Sequence, residues 1–435
     1  MKMANSNITK IKSRWVLDSR GNPTVETDVF CGEAWARAIV PSGASTGEAE
    51  ALELRDGGKA FLGKGVMKAV QNVNDILGSK LRNFDVIEQE KLDAEMNAID
   101  GTENKGNLGA NAILSVSLAA ARLAAKIRKK SLYQYLYELA YKKTTQKFLM
   151  PIPQSNVLNG GKHAGTRLAI QEFMIFPISA KTFGHAVQMV AETYQFLKKL
   201  ISEKYGKTSV NVGDEGGFAP NLQTSREALD VITAAIENAG YTPGLDFVLG
   251  LDAAASEFYT NGMYNIDGKK LNERELMEYY IALIEEYPLK SIEDPFNENS
   301  FEAFADLTRR VKDVNIVDDD LTVTNVKRLQ KAINMSAGNT LLLKVNQIGS
   351  LTEAISAANL AMKNNYNVVV SHRSGETCDN FISDLAVGLC NGQVKIGAPC
   401  RSDRNAKYNQ LLRIEEELSG QSKFPKTFRD WKNYI

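Results

Sequence analysis

The chain has 435 residues, 43% of them hydrophobic and 24% charged, the balance of an ordinary globular protein rather than a disordered or fibrous one. Lys plus Arg and Asp plus Glu both number 52, so net charge leaves no footprint for a nucleic acid. That length calls for two domains, or one large barrel with an addition, and no apolar run reads as long enough to span a membrane.

The start, MKMANSNITKIKSRW, is basic but has no apolar stretch behind it, so no secretory signal is expected. The segments ITKIKSRWVLDS, PTVETDVFCG and AWARAIVPSG are strand-like. Turn signals separate them at Gly21-Asn22-Pro23 and Cys31-Gly32-Glu33, which predicts a three-stranded antiparallel meander. The loop VPSGASTGEAEALELRD (40–56) is small, polar and flexible at its centre. It could offer hydroxyls and amides to a phosphate or metal, or be a plain surface turn. It lacks the Gly-Lys-Ser/Thr ending of a P-loop.

Helical patterns follow. GVMKAVQNVNDILGSKL places Val66, Val70, Val73, Ile76 and Leu77 on one face. GANAILSVSLAAARLAAKIRKK is Ala-rich and ends in basic residues that suit a helix C-terminus. SLYQYLYELAYKK is a third helix. The two prolines in TTQKFLMPIPQ mark the expected boundary between an N-terminal α+β domain, 1–146, and a second domain, 147–435.

The second domain carries six short apolar runs that each end on ionisable residues. They are FVLGLD to Asp252, LKSIED to Glu293 and Asp294, and VNIVDDD to Asp318, Asp319 and Asp320. LLLKVNQ carries Lys344, VVVSHRSGE carries His372 and Arg373, and QVKIGAP carries Lys395. Helical patterns lie between them, and strands buried on both faces read as continuous apolar runs. This alternation predicts an α/β fold with a (β/α)8 barrel, whose chemistry sits at the C-terminal ends of its strands. Carboxylates, lysines and a histidine converging there point to metal-assisted acid/base chemistry. Only three histidines and no Cys/His cluster argue against zinc. Cys31, Cys378, Cys390 and Cys400 form no CxxC pair and read as reduced thiols of a cytoplasmic protein.

Twelve stretches in one order resemble the enolase family. They include LDSRGNPTVE (17–26), VPSGASTG (40–47), LGANAILSVSLA (108–119), NGGKHAG (159–165), QEFMIFP (171–177) and GDEGGFAP (213–220). SIEDPF (291–296), DDLTVTN (319–325), LLLKVNQIGSLTEA (341–354), SHRSGET (371–377), KIGAPCRS (395–402) and NQLLRIEEEL (409–418) complete them. The resemblance spans the chain and implies the enolase fold: an α+β capping domain and a TIM-type barrel of order ββαα(βα)6. It implies Mg²⁺-dependent, reversible loss of water from 2-phospho-D-glycerate to give phosphoenolpyruvate through an enolate, a step of glycolysis and gluconeogenesis.

Site residues follow from the resemblance. Asp252, Glu293 and Asp319 match the ligands of one Mg²⁺, and Ser45 a ligand of a second that binds with substrate. Lys344 matches the base and would need its pKa lowered by nearby cations. Glu215 matches the acid, Glu172 the carboxylate beside it, and Gln171 a substrate contact. Lys395 matches a partner of the substrate carboxylate. His163 and His372 match active-site histidines, and Arg373 with Ser374 a phosphate fork. Glu293, Asp319 and Lys344 also match substrate contacts. His185 reads as structural.

Departures from the family pattern are Asp318, Cys378, Ile396 and Asp403. Asp318 is expected to add negative potential at the metal, and Ile396 to remove a supporting hydrogen bond. A homodimer is expected, with Glu26 and Arg413 matching an intersubunit ion pair; sequence leaves a dimer and an octamer both open. No nucleic-acid contact and no membrane insertion are expected. A sibling racemase, epimerase or cycloisomerase would keep the metal triad without needing GDEGGFAP, SHRSGET or the SGAST loop. A chain kept only for binding would be free to lose Lys344 or Glu215.

Overall fold

A computed structural model describes residues 6–43, 47, 49–161 and 168–435. The N-terminal sheet is an antiparallel meander of β1 (Lys10–Leu17), β2 (Pro23–Cys31) and β3 (Ala34–Ile39). Gly21 and Gly32 take positive φ at its turns, a conformation that costs glycine little. Val25 and Val29 of β2 face the core, and the Thr27 and Ser115 hydroxyls meet at 2.7 Å against a helix laid over the sheet.

That helix is α2 (Ala110–Ile127), preceded by α1 (Gln89–Asp100) and followed by α3 (Leu132–Tyr141). By length and composition α2 qualifies as a membrane span, contrary to the sequence reading, but 83% of it is buried inside the protein. Its alanines let it approach the sheet closely, which accounts for the high hydropathy without a bilayer. The segment predicted as one helix over 65–81 starts at Met67 and passes through a π-turn at Asn72–Leu77. Helix α1 was not predicted. Its inward face is carried by Leu92 and Met96 among polar residues, too sparse a stripe to stand out.

Eight strands close a barrel. They are β4 (Ile152–Asn159), β5 (Glu172–Pro177), β6 (Phe247–Asp252) and β7 (Leu289–Glu293), then β8 (Asn315–Asp318), β9 (Thr340–Leu343), β10 (Asn367–Ser371) and β11 (Gln393–Lys395). Strand β5 runs antiparallel to both neighbours, and every other pair is parallel. Two helices, Phe183–Tyr205 and Ser225–Asn238, then separate β5 from β6, giving the ββαα start. The six apolar runs are β6 to β11.

The barrel interior is layered. At the N-terminal ends of the strands, side-chain amides bridge the lumen: Gln154 to Gln393 at 3.1 Å, Asn315 to Gln393 at 2.9 Å and Asn367 to Asn315 at 2.9 Å. The indole N–H of Trp431 donates to Asn367 Oδ1 at 2.9 Å, so the C-terminal segment closes this end. Val317, Leu342 and Val369 form one apolar patch above it, and Ile152, Met174, Phe176 and Val248 another. The opposite end carries the charges.

Gly250 in β6 makes room for the Phe176 ring, since a Cβ there would lie 2.4 Å from Phe176 Cζ. Gly250→Ala is therefore expected to lower stability by about 1–3 kcal/mol through overpacking. A urea midpoint unchanged from the parent would show that the ring swings aside at no cost.

Candidate active site

Strand geometry brings the charges together. Asp252, Glu293 and Lys395 are the last residues of β6, β7 and β11, while Asp319 and Lys344 directly follow β8 and β9. His372, Arg373 and Ser374 directly follow β10. Glu172 opens β5, and because that strand is reversed its first residue reaches the same face. Glu215 comes from the loop between the first two barrel helices, pinned by backbone bonds from Phe218 to Val157 and from Asn159 to Phe218. These residues and Gln171 share one cleft, except that Glu293 sits beneath it against Lys395. Ser45 and His163 lie outside the described residues.

Two ammonium groups are set among the acids. Lys395 Nζ lies 2.8 Å from Asp252 Oδ2, 2.8 Å from Glu293 Oε2 and 3.2 Å from Glu172 Oε2. Lys344 pairs with Asp319, whose other oxygen accepts from Gln347 Nε2 at 2.8 Å. Burial pushes Glu293 well above the usual carboxylate range, and the Asp252 charge adds to it. Burial would raise Asp252 as well, but the Lys395 charge and hydrogen bond, with the Glu293 hydrogen bond and the Lys344 charge, together hold Asp252 low. Buried carboxylates that take ammonium groups as counter-ions have the donor chemistry for a hard cation. Asp252, Glu293 and Asp319 therefore fit Mg²⁺. Asp294, Asp319 and Asp320 also bring carboxylate oxygens within 4.8 Å of one another. Asp294, however, accepts the amides of Asp319 at 3.0 Å and Asp320 at 2.9 Å, so it acts as a brace for the turn.

Lys344 departs from expectation. Burial favours its neutral form, but the Asp319 and Glu293 charges together hold the ammonium above its ordinary value. The lowered pKa expected of a base thus requires Asp319 to be occupied by another cation.

The acid pair is dry. Burial and then the Glu215 charge push Glu172 well above the usual carboxylate range. His372 Nε2 lies 3.1 Å from Glu215 Oε2. Burial pushes the His372 imidazole down to about 4, against the opposing Glu215 charge. The Arg373 guanidinium is engaged by Glu50 of the capping domain at 2.9 and 3.1 Å and by Asn346 at 3.0 Å.

The chain was then compared with known families. Residues 8–136 match the description "Enolase, N-terminal domain", and residues 147–430 match "Enolase, C-terminal TIM barrel domain". The chain belongs to the enolase family. It is 57% identical to the enolase of Methanocaldococcus jannaschii over 96% of both chains. It is 56% identical to that of Thermococcus gammatolerans, over 97% of this chain and 98% of the other. The Pyrococcus furiosus enolase is 56% identical over 95% of each.

Against that family background two departures resolve structurally. Strand alternation turns Asp318 away from the lumen that Val317 faces. Its Oδ1 accepts from the Thr322 hydroxyl at 2.8 Å, and burial pushes its carboxyl well above the usual carboxylate range. Both features oppose the negative potential expected of it at the metal. Ile396 is fully buried in the main apolar core. Sequence reading missed Glu50, Asn346, Gln347 and Arg404, and named Asp294 at a strand end without its bracing role. Glu50, Asn346 and Gln347 lie within quoted motifs or the loop at 40–56, but nothing local distinguishes a bracing residue from a solvated one.

Asp318→Asn should leave the Mg²⁺ dependence of activity unchanged, as titration of rate against Mg²⁺ would show; a severalfold shift in half-saturation would mean Asp318 is ionised. For His372 the folded pKa lies below the unfolded one, so the unfolded chain binds more protons between them. The stability from the neutral imidazole is present above about pH 6.5 and lost as pH falls toward 4. Urea unfolding at pH 7 and pH 4.5 should show His372→Gln losing less stability on acidification than the parent, by up to about 3 kcal/mol. Equal losses would put the His372 pKa near that of free histidine.

Proposed function

We propose that Lys344 is the base and Glu215 the acid of this enolase, with two Mg²⁺ ions bound per site. The activity itself is that of the family: a lyase, it removes water reversibly from 2-phosphoglycerate to give phosphoenolpyruvate in glycolysis. Enolases are magnesium-dependent. Asp252, Glu293 and Asp319 would hold one ion, and Ser45 would join a second that arrives with substrate. Bound there, Mg²⁺ supplies the positive charge that makes a proton beside an ionised carboxylate acidic enough to remove.

The chain's own groups divide the remaining work. Arg373 and Ser374 bind the phosphate, a bidentate fork and a hydroxyl. Glu50 now fills that fork and must yield to the phosphate. Lys395 turns toward the substrate carboxylate, and Gln171 holds the substrate in place. Lys344, once Asp319 no longer holds its proton, takes the proton from C2; the C–H electron pair passes into the carboxylate as an enolate. Glu215 then gives a proton to the C3 hydroxyl as the C3–O bond breaks, so water leaves and C2=C3 forms. Glu172 is the carboxyl beside that acid, pushed up by burial and then by the charge of ionised Glu215 once the proton has left. His372 and His163 border the leaving group. The reading rests on one observation above the others: Lys344 and Lys395, at the same face of the barrel, sit directly on the carboxylates assigned to the metal.

The remaining assignments are of the same kind. The capping domain ends at residue 146, and the chain pairs as a homodimer through the capping domain of one copy and the barrel of the other. Exposed Trp15, Leu17 and Trp35 on the meander support an outer contact. Arg413 is exposed, while Glu26 is already paired in its own chain with Arg14. An intersubunit bond would add to that pair.

The test is ultraviolet absorbance of the enol phosphate formed from 2-phosphoglycerate. Signal should grow with Mg²⁺, stop with excess EDTA and fall at least 10⁴-fold, roughly, in Lys344→Ala. Asp252→Asn should raise the Mg²⁺ requirement. Full activity in Lys344→Ala would remove Lys344 from the role of base.

A further inference from the structure

Among the described residues Arg404 is the largest fully buried side chain, and no motif singled it out. It opens the helix Ser402–Leu418 that follows the last barrel strand, and its guanidinium reaches back under the active site. One nitrogen lies 2.6 Å from His372 Nδ1 and donates to the Arg373 carbonyl at 2.6 Å. Another donates to the Asp214 carbonyl at 2.9 Å and the Ser374 carbonyl at 2.7 Å. Nε lies 2.9 Å from Asp403 Oδ2. The guanidinium thus ties the acid loop to the phosphate loop. The backbone is shaped for it, because a Cβ on Gly397 would meet the Glu215 carbonyl at 2.6 Å and Arg404 Cδ at 3.1 Å.

The donor chemistry carries a consequence. Guanidinium has no acceptor, so at 2.6 Å the His372 Nδ1 must present its lone pair. A neutral imidazole then carries its proton on Nε2, the nitrogen that lies 3.1 Å from Glu215 Oε2. The Asn156 amide donates to the same oxygen at 3.2 Å. An oxygen that accepts from an amide and has an imidazole N–H beside it is a poor seat for a proton, which leaves Oε1 as the protonated oxygen of the acid.

We propose that Arg404 is a positioning residue for the reaction: it locks His372 in the Nε2–H tautomer and so confines the transferable proton of Glu215 to Oε1. The proposal rests on the reading of Glu215 as the acid. Arg404 touches neither substrate nor reacting atoms. Its effect belongs in the protonation step rather than in substrate binding, so its loss lowers kcat more than it changes KM.

The chain contains only three histidines, so its imidazole nitrogens are readable by long-range proton–nitrogen correlation in the full-length, Mg²⁺-loaded enzyme. His372→Gln assigns the signals. The parent should show His372 protonated on Nε2 and bare on Nδ1 at neutral pH. Arg404→Lys retains a donor and should retain that tautomer with most of kcat. Arg404→Met should give mixed tautomers and a kcat lower by roughly 10²-fold, with KM changed only a few-fold. A parent His372 with its proton on Nδ1 overturns the proposal, and so does an Arg404→Met enzyme with unchanged tautomer and rate. If Arg404→Met does not fold, the parent spectrum and Arg404→Lys still decide it. A parent with the expected tautomer that turns over substrate normally when Glu215→Gln is made would sink the acid assignment and leave the tautomer lock standing.

Discussion

The structure is organised around a charge problem. Closing a parallel barrel aims the ends of its strands at one small volume, and this chain ends three of those strands in carboxylates, with Glu172 and Glu215 added from neighbouring segments. Buried acids at such spacing repel one another and are poorly solvated. Lys395 and Lys344 relieve the repulsion by sitting directly on them. A site that holds acids by ammonium counter-ions also has the donor chemistry for a divalent cation in their place.

The scaffold supports it from both ends. The amide layer of Gln154, Asn315, Asn367 and Gln393 satisfies itself across the lumen and meets Trp431 from the C-terminal segment. The opposite mouth is closed by the capping domain. Ser42 and Gly375 exchange backbone hydrogen bonds at 2.7 and 2.9 Å, and Asp379 accepts the Ile39 amide while pairing with Arg122 of α2. Glu50 reaches from the same domain into the phosphate fork. The cap thus carries part of the site, so that substrate binding and domain contact draw on the same groups.

Supporting residues form a second tier of the design. Asp294 holds the turn that presents Asp319, Gln347 orients its carboxylate, and Arg404 joins the loops that carry Glu215 and His372. Catalytic groups must stay within a few tenths of an ångström of their working positions, and buried, fully bonded polar neighbours are what hold them there.

The sequence by itself determined the fold class and most of the chemical groups. The meander is legible because Gly21 and Gly32 punctuate alternating runs, and β6 to β11 because strands buried on both faces must be apolar until they reach the mouth. Asp252, Glu293, Asp319, Lys344, His372 and Lys395 stand out there because an ionisable residue at the end of an apolar run needs a reason. Only the tertiary structure decided the rest. The reversal of β5 puts Glu172 at the working face, yet its direction depends on pairing with strands far away in sequence. Asp318 and Asp319 look alike in the chain, and strand alternation in the closed barrel packs one against Thr322 and turns the other to the cleft beside Lys344. Arg404 reads as one more helix residue until folding removes it from water and surrounds it with acceptors from two loops. Ionisation and partnership are properties of an environment, and that environment is assembled from residues hundreds of positions apart.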